Sequence, residues 1–224
     1  TVEYLVQLQK KYDVDLVATS VIEVRDFQSE DFLGSLTNID SLKLDRYTAL
    51  KEMFYGNIVG THPGGKLYKK EILMKFPFPE GMIYEDLAVS FEHIGACNEI
   101  AVGCINLYKY YRRPGSIVNS SYSDKFLDFY KAIEINREFV QRDYPNDKEM
   151  KKALTVRYVF KGLHVVHAML SSGMYEEINK IRKEYTRYFN DIIPNPNITG
   201  KNKVKYLLFL CSSKLYNAVR RKVG

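Results

Sequence analysis

The sequence predicts an α/β domain over residues 1–120 followed by a helical region over 121–224. In the first part, runs rich in β-branched residues alternate with segments whose apolar residues recur at helical spacing, an order typical of a sheet layered with helices. In the second part, every periodic segment has helical spacing. The chain has 46% apolar and 27% charged residues, which fits a globular protein and excludes wholesale disorder or a collagen-like fold.

The first predicted elements are a helix over residues 2–12 and a buried strand over 15–24. The helix carries apolar residues at helical spacing, and the strand is a run of β-branched residues. Residues 26–44 are polar and rich in serine and aspartate, so they predict a loop. A short helix is expected over 46–54.

The next segment contains two loops, a helix and two strands. Residues 60–65 hold three glycines and a proline and predict a turn, and the two prolines of 76–81 predict an extended loop. A helix is expected over 84–96, because its apolar residues share one face. Strands are expected over 99–104 and 105–112.

The helical region is divided by residues that end helices. Pairs of proline, glycine, serine and asparagine residues interrupt the helical pattern at 145–146, 172–173 and 194–197. The predicted helices are 124–143, 147–171, 174–190 and 203–222.

The net charge of +6 is concentrated at the C-terminus. Seven basic and no acidic residues follow Gly200, which leaves 26 basic against 27 acidic residues in the rest of the chain. A neutral body argues against nucleic acid as a partner and assigns the positive charge to a local feature of the tail.

Cysteine usage and hydropathy indicate a cytoplasmic protein. Cys97, Cys104 and Cys211 form no Cys-x-x-Cys pair and are odd in number, which disfavours a disulfide framework or a zinc site. No run of about 18 apolar residues is present, so no transmembrane helix is expected. The N-terminal residues do not resemble a signal peptide. The chain begins without Met and within a helical pattern, so we expect a fragment of a longer protein or a split gene product.

Two segments match metal- or phosphate-binding patterns imperfectly. Asp13 and Asp15 form an Asp-x-Asp pair that could chelate Mg²⁺ or Mn²⁺, but the pair precedes its strand, whereas ligand crevices lie at the carboxyl ends of strands. Residues 60–66 spell Gly-x-x-x-x-Gly-Lys, but Leu67 replaces the Ser or Thr that a P-loop requires. A metal site at the first segment and a nucleoside-triphosphatase loop at the second are therefore both disfavoured.

A histidine pair on the longest predicted helix is a weaker candidate. His164 and His167 are three residues apart and share a helix face, but no third ligand stands near them in sequence. A packed or surface pair is therefore favoured over a metal site.

Tyr84-Glu85-Asp86 opens a predicted helix after a loop containing proline and glycine. Carboxylates at this position commonly cap the helix, but a rigidly held carboxylate can also act as a general base. Arg112 and Arg113 end a predicted strand, where they either point into solvent or bind phosphate with their guanidinium groups.

Four segments, in this order, resemble the C-terminal half of bacterial family 2 glycosyltransferases of the capsular and exopolysaccharide type. The likeness by motif covers roughly residues 1–120. The segments are Gly65-Lys66-Leu67-Tyr68-Lys69-Lys70-Glu71, Phe78-Pro79-Glu80-Gly81, Tyr84-Glu85-Asp86-Leu87 and Leu107-Tyr108-Lys109-Tyr110-Tyr111-Arg112-Arg113-Pro114-Gly115-Ser116-Ile117.

The resemblance implies the acceptor-side half of a glycosyltransferase-A (Rossmann-like) sheet domain and inverting transfer of a sugar from a nucleotide diphosphate to a hydroxyl. The acceptor would be a saccharide or a lipid-linked saccharide in surface polysaccharide synthesis. By the same resemblance, Asp86 would be the general base, with Glu85 and Tyr84 beside it at the acceptor. Arg113 and Lys66 would bind the donor diphosphate.

The chain departs from this family at its N-terminal side. Nothing in it matches the donor-binding half, which in the family carries the metal-binding Asp-x-Asp motif. The complete enzyme is expected to need Mg²⁺ or Mn²⁺, with none held by this chain alone, and the chain alone is expected to be inactive. The family often has an aromatic residue where Gly64 stands. The alternative function is a non-catalytic interaction or scaffold module derived from a glycosyltransferase.

The segment 203–222 is a candidate for peripheral contact with the inner face of the plasma membrane. Its apolar residues predict one stripe along a single helix, and basic residues flank or oppose that stripe. The alternative is that the stripe packs against the other C-terminal helices. The predicted stripe consists of Val204, Leu207, Leu208, Cys211, Leu215 and Val219.

Overall fold

The computed structural model describes residues 1–24, 41–111 and 122–223. Within these ranges the chain forms a four-stranded mixed sheet with helices on both faces, followed by a helical part, and the predicted α/β class is confirmed. The predicted boundary near residue 120 lies outside the described residues. The strands are β1 (Leu16–Val24), β2 (Ser41–Asp45), β3 (Lys66–Tyr68) and β4 (Glu99–Tyr111).

The α-helices of the described ranges surround the sheet and then continue as a bundle. Short 3₁₀ turns at Asp124–Leu127 and Thr186–Tyr188 connect some of them. The helices are α1 (Val2–Tyr12), α2 (Arg46–Tyr55), α3 (Lys70–Lys75), α4 (Glu85–Gly95), α5 (Asp128–Asp143), α6 (Lys148–Ser171), α7 (Tyr175–Tyr185), α8 (Phe189–Ile192), α9 (Gly200–Cys211) and α10 (Ser213–Val223).

The sheet has the strand order β2-β4-β1-β3, with β1 and β4 parallel at its centre and the two short strands antiparallel at its edges. Successive residues of β1 face opposite sides, as strand geometry requires. Val17 packs beneath α1, whereas Leu16 and Ala18 belong to the larger core on the other side. Because both faces are covered, the strand is apolar on both sides at its start.

β4 is a single strand of 13 residues where the sequence predicts two strands. Thr19 pairs with Gly103, but the next residue, Ser20, pairs with Asn106, so β4 carries extra residues at a bulge. The predicted division between residues 104 and 105 falls inside this bulge. The prediction of two strands is therefore wrong, because the irregularity bends the strand without ending it.

The loop predicted over residues 26–44 is wrong at its C-terminal end. Residues 41–45 form the edge strand β2, while 25–40 lie outside the described residues. β2 alternates polar residues with Leu42 and Leu44 and is largely exposed, and the Lys43 ammonium pairs with the Glu99 carboxylate of β4 at 2.8 Å. An edge strand with this composition lacks the apolar run that identifies a central strand.

The helical part shares one continuous core with the sheet domain. α5 packs on α4, where the ring centroids of Phe91 and Phe139 are 4.6 Å apart, and α6 packs on α2. The buried Asn136 of α5 donates to the carbonyl of Leu87 in α4 at 2.9 Å. This packing brings one face of α6 close to the loop that precedes β3 and to the start of α4.

The single helix predicted over 203–222 is wrong. Ser212 has extended backbone and separates α9 from α10. The buried face is aromatic, with Tyr206, Phe209 and Tyr216 in the core. The Tyr206 hydroxyl donates to the Tyr185 carbonyl at 2.5 Å, and the Phe209 ring lies 5.8 Å from the Tyr185 ring.

Most of the predicted aliphatic stripe therefore faces outward. Val204, Leu207 and Leu215 are 55%, 39% and 47% exposed. In the part of the chain that the structure describes, no helix combines the length and apolar character needed to cross a bilayer.

Candidate functional site

The site is built around Asp86, which lies in the first turn of α4. Tyr84, just before the helix, has a φ of 65°, a left-handed conformation that is uncommon for a residue with a side chain. Two contacts fix this turn: the Tyr84 ring packs edge-on against Phe129 at 5.7 Å, and the Ile83 N–H donates to the Asp128 carboxylate at 3.2 Å. The position of the Asp86 backbone is thus set by α5 as well as by α4.

Hydrogen bonds hold the Asp86 carboxylate in a single orientation. Its Oδ2 accepts from the Thr61 hydroxyl at 2.8 Å, and its Oδ1 accepts from the Leu87 N–H at 2.7 Å. The Ser90 hydroxyl lies 2.7 Å from the Thr61 carbonyl and 2.6 Å from the Asp86 carbonyl. α4 and the loop over residues 57–65 are therefore joined at the carboxylate itself.

Lys66 closes the same loop and contributes a positive charge. Its ammonium donates to the carbonyls of Gly60 at 2.5 Å and His62 at 2.7 Å. Burial lowers the pKa of Lys66 to about 7, although the charge of Asp86 opposes this shift. Lys66 opens β3 rather than a helix, so the Gly-x-x-x-x-Gly-Lys segment is not a P-loop.

Two further basic residues, Arg157 and Lys161, reach this site from α6 and were not predicted from the sequence. Burial lowers the pKa of Arg157 to about 10 and lowers the pKa of Lys161, and the charge of Asp86 opposes both shifts. Lys161 also interacts with the charge of Glu23, which lies near the carboxyl end of β1. The charge of Asp86 thus acts on three basic side chains, one from β3 and two from α6.

Arg157 lacks partners for part of its guanidinium group. Its Nε and Nη2 are buried and have no hydrogen-bond partner among residues 1–24, 41–111 and 122–223. A cavity of about 200 Å³ adjoins it between α2 and α6, with Phe54 and Tyr55 on one side and Arg157, Lys161 and His164 on the other. The sequence signal for this site was a pair of basic residues, Arg157 and Lys161, spaced four apart among apolar residues of a long helix.

Of the other residues predicted for the site, Glu85 and Tyr84 lie beside Asp86 in sequence. Glu85 is half-buried in the first turn of α4. Burial, with the nearby charge of Asp86, raises the pKa of Tyr84 to about 12, and the Tyr84 ring packs on the core. Arg113 lies outside the described residues.

The acidic pair at the other edge of the sheet does not fit a metal ion. Asp13 ends α1 in a left-handed conformation with a φ of 50°, and Asp15 forms an ion pair with Lys69. Among residues 1–24, 41–111 and 122–223, no three side chains of the His, Cys, Asp and Glu types converge as metal ligands. A structural role as a helix end and an ion pair accounts for both aspartates.

The histidine pair on α6 is packed rather than ligating. The rings of His164 and His167 are 5.7 Å apart, and His167 Nε2 lies 2.5 Å from the Tyr216 hydroxyl. The His167 ring also stacks on Tyr216, at 5.5 Å between centroids. His167 thus helps to attach α10 to α6.

Gly64 and Gly65 precede β3 and lie against Tyr108 of β4. A Cβ placed on Gly64 would stand 2.4 Å from Cζ of Tyr108, so the ring occupies the space that a side chain would need. Gly65 has a φ of 72°, and its carbonyl accepts from the Thr19 N–H at 2.8 Å. The Tyr108 ring therefore leaves no room for a side chain at position 64.

Comparison of the chain with models of known protein families and with curated proteins gave no match.

Proposed function

We propose that the chain is the acceptor-side part of an inverting glycosyltransferase of the glycosyltransferase-A fold. It would transfer a sugar from a nucleotide diphosphate to a hydroxyl of a saccharide or lipid-linked acceptor in surface polysaccharide synthesis. One observation carries the proposal: Asp86 is fixed by two hydrogen bonds, and its charge acts on the basic side chains of Lys66, Arg157 and Lys161. The mixed sheet with helices on both faces is compatible with that fold.

The chemistry requires a base and a stabiliser of negative charge. As the acceptor oxygen bonds to the anomeric carbon, the bond from that carbon to the diphosphate oxygen breaks, and the acceptor proton goes to Asp86. Thr61 and Leu87 occupy one lone pair of each carboxylate oxygen, so a lone pair remains for this proton. The departing diphosphate gains negative charge, which the basic side chains beside Asp86 would stabilise.

The described residues of this chain would not hold the Mg²⁺ or Mn²⁺ expected in the complete enzyme, because none of their acidic groups fits a metal ion. The donor base, ribose and metal would be bound by residues outside this part of the chain. We therefore expect the chain alone to transfer little sugar.

Replacing Asp86 tests the proposal in the protein as it occurs in the cell. Asp86→Asn keeps the size of the side chain but cannot accept a proton, so kcat should fall by about 10²- to 10⁴-fold while donor affinity is nearly unchanged. The matched control is Glu92→Gln on the same helix, where the carboxylate pairs with Arg142 at 3.1 Å, away from the cluster. A variant that keeps more than about a tenth of kcat would make Asp86 a helix cap and favour the scaffold alternative.

The exposed aliphatic stripe of α9 and α10 favours one partner for this enzyme, an anionic membrane surface. Val204, Leu207 and Leu215 are exposed, and the seven basic residues after Gly200 have no acidic neighbour in that segment. A short helix pair of this kind can lie in the interface, and each basic residue near an anionic leaflet adds about 1 kcal/mol. Lipid-linked acceptors would be reached from that position.

Vesicle flotation tests this contact with a substituted full-length chain. Removing α9 and α10 would also remove Tyr206 and Phe209 from the core, so the variant Val204→Ser/Leu207→Ser/Leu215→Ser is the sharper comparison. It should bind vesicles containing phosphatidylglycerol more weakly than the unsubstituted chain. The control Met74→Ser removes an apolar side chain that is 71% exposed on α3 and should bind normally. Equal binding of all three proteins, or binding independent of lipid charge, would contradict the contact.

A further inference from the structure

The loop over residues 76–83 leads into the left-handed turn at Tyr84, and side chains hold both of its ends. Two of its residues are prolines, which have no backbone N–H to donate, so side-chain contacts carry more of its attachment. At the C-terminal end, the Ile83 N–H donates to the Asp128 carboxylate of α5 at 3.2 Å. At the N-terminal end, the loop is bound by His93 of α4. The loop is therefore attached to two different helices.

The His93 ring is buried, and its contacts select one tautomer. Only 1% of the residue is exposed, and Nε2 lies 2.7 Å from the Phe76 carbonyl. Because a carbonyl oxygen can only accept, Nε2 carries the proton and donates it. The Tyr68 and Phe78 rings each pack edge-on against the imidazole, at 5.2 Å between centroids. His93 thus joins β3, α4 and the start of the loop.

The second ring nitrogen makes protonation of His93 unfavourable while the loop is attached. Nδ1 is buried and has no hydrogen-bond partner within the part of the chain that the structure describes. A proton on Nδ1 would place a positive charge and an unpaired donor in the core. Burial therefore lowers the pKa of His93 below its ordinary value of 6.5, and the charge of Lys66 in β3 acts in the same direction.

The other groups that face His93 do not reverse this preference. The hydrogen bond to the carbonyl and the charge of Glu92 raise the pKa of His93, but burial has the larger effect. Glu92 is itself paired with Arg142 of α5 at 3.1 Å. Burial also raises the pKa of Tyr68, which packs on the ring, and of Cys97, whose Sγ donates to the His93 carbonyl at 3.3 Å. Both of these side chains are therefore neutral in mild acid.

Asp128, at the other end of the loop, responds to a lower pH range. The Lys131 ammonium donates to this carboxylate at 2.7 Å, and this bond, together with the Ile83 N–H, holds the pKa of Asp128 below its ordinary value of 3.8. Asp128 thus stays ionised at the pH where an exposed histidine takes up a proton. Mild acid therefore acts on the N-terminal end of the loop and leaves the C-terminal attachment intact.

We propose that His93 is a positioning residue for Asp86, which acts through the loop over residues 76–83 and releases the start of that loop in mild acid. When the loop leaves the ring, water reaches His93 and the imidazole can be protonated at its ordinary pKa. Each pH unit below about 6.5 then favours the released loop by up to about tenfold, until His93 is protonated in the attached state as well. The attachment is argued from hydrogen bonds and burial, whereas its effect on sugar transfer rests on the proposed function.

Hydrogen–deuterium exchange of the full chain tests the release at about pH 7.5 and about pH 5.5, with each rate corrected for the intrinsic rate at that pH. In the unsubstituted protein, the protection of the loop amides should fall by about 3- to 10-fold at the lower pH. His93→Gln keeps an N–H donor for the Phe76 carbonyl but does not titrate, so its loop should be equally protected at both pH values. His93→Leu removes the donor and should show weak protection at both.

The matched control is His167→Gln, which removes a histidine whose ring stacks on Tyr216 in the helical part. In this variant the loop over residues 76–83 should keep the pH dependence of the unsubstituted protein. Equal loop protection at both pH values in the unsubstituted protein, or the same pH dependence in His93→Gln, would overturn the inference. Neither of these two comparisons requires His93→Leu to fold.

Sugar transfer by the complete enzyme tests the consequence for Asp86. Between about pH 6.5 and about pH 5.5, kcat should fall more steeply in the unsubstituted enzyme than in His93→Gln, with KM little changed. A purely structural role would instead lower kcat of His93→Gln by the same factor at every pH, and that result would overturn the positioning role. If the loop is released in acid but the complete protein transfers no sugar, the proposed function fails and the attachment by His93 stands.

Discussion

Carboxylates lie at both ends of β1, but the charges around them differ. At the amino end, Asp15 pairs with the single exposed cation Lys69. Near the carboxyl end, the charge of Asp86 acts on Lys66, Arg157 and Lys161, and that of Glu23 also acts on Lys161. Nε and Nη2 of Arg157 are buried without a hydrogen-bond partner among the residues that the structure describes. The amino end thus has an exposed ion pair, whereas the carboxyl end has buried basic groups. Burial of charged groups, rather than an Asp-x-Asp pattern, distinguishes the candidate site.

The largest expected effect is on stability. It should distinguish Lys66, which opens β3, from Lys69, which follows it. Lys66→Met removes hydrogen bonds to the carbonyls of Gly60 and His62 and should lower the free energy of unfolding by about 1–3 kcal/mol. Lys69→Met removes an exposed ion pair and should change it much less. Urea unfolding measures both. If both variants lost the same free energy of unfolding, the buried Lys66 would contribute no more to stability than the exposed Lys69.

The two lysines should also respond oppositely to alkaline pH. The folded-state pKa of Lys66 is about 7 against 10.5 for an unperturbed lysine, so the unfolded chain binds this proton more tightly between those values. Its contribution therefore makes stability rise as the pH increases from about 7 to about 10.5. The pKa of Lys69 is raised by Asp15, so its contribution is present below the unfolded pKa and is lost as the pH rises through the folded pKa.

Urea unfolding at several pH values through the alkaline range measures these contributions. In Lys66→Met, the free energy of unfolding should rise less between about pH 7 and about pH 10.5. In Lys69→Met, it should fall less at the more alkaline pH where Lys69 loses its proton. A pH profile that Lys66→Met leaves unchanged would mean that this ammonium is not buried as described.

The smallest effect on the melting temperature is expected when a metal ion is added, because its candidate ligands are Asp13 and Asp15 at the amino end of β1. Asp13 ends a helix and Asp15 is paired, so Mn²⁺ should leave the melting temperature unchanged. The double variant Asp13→Asn/Asp15→Asn should behave in the same way. A Mn²⁺-dependent stabilisation that this variant loses would restore the pair as metal ligands and reverse the comparison.

Local patterns predicted the elements around these sites but not the contacts between them. α1, β1 and α2 follow from apolar spacing and β-branched composition, and α4 follows the loop containing proline and glycine. β2 was missed because an exposed edge strand needs no apolar run. The helix pair α9 and α10 was wrongly joined, and its buried face was misassigned, because aromatic and aliphatic stripes overlap in the same segment.

The candidate site shows the same limit. Asp86 is visible from its position at a helix start, and Lys66 from its motif. Arg157 and Lys161 lie about seventy residues further along, and only the packing of α6 on α2 turns their face toward Asp86. Such a meeting depends on how helices cross, which single-sequence periodicity does not specify.

The contact between Gly64 and Tyr108 has a consequence for how this sequence can change during evolution. A Cβ at position 64 would overlap the Tyr108 ring at 2.4 Å, so the two positions share one volume. A single replacement of Gly64 would displace the ring, whereas replacement of Gly64 by a larger residue together with Tyr108 by a smaller one would refill the same space. Homologous chains should therefore show coupled substitutions at 64 and 108, with a large side chain at one of the two positions but not at both.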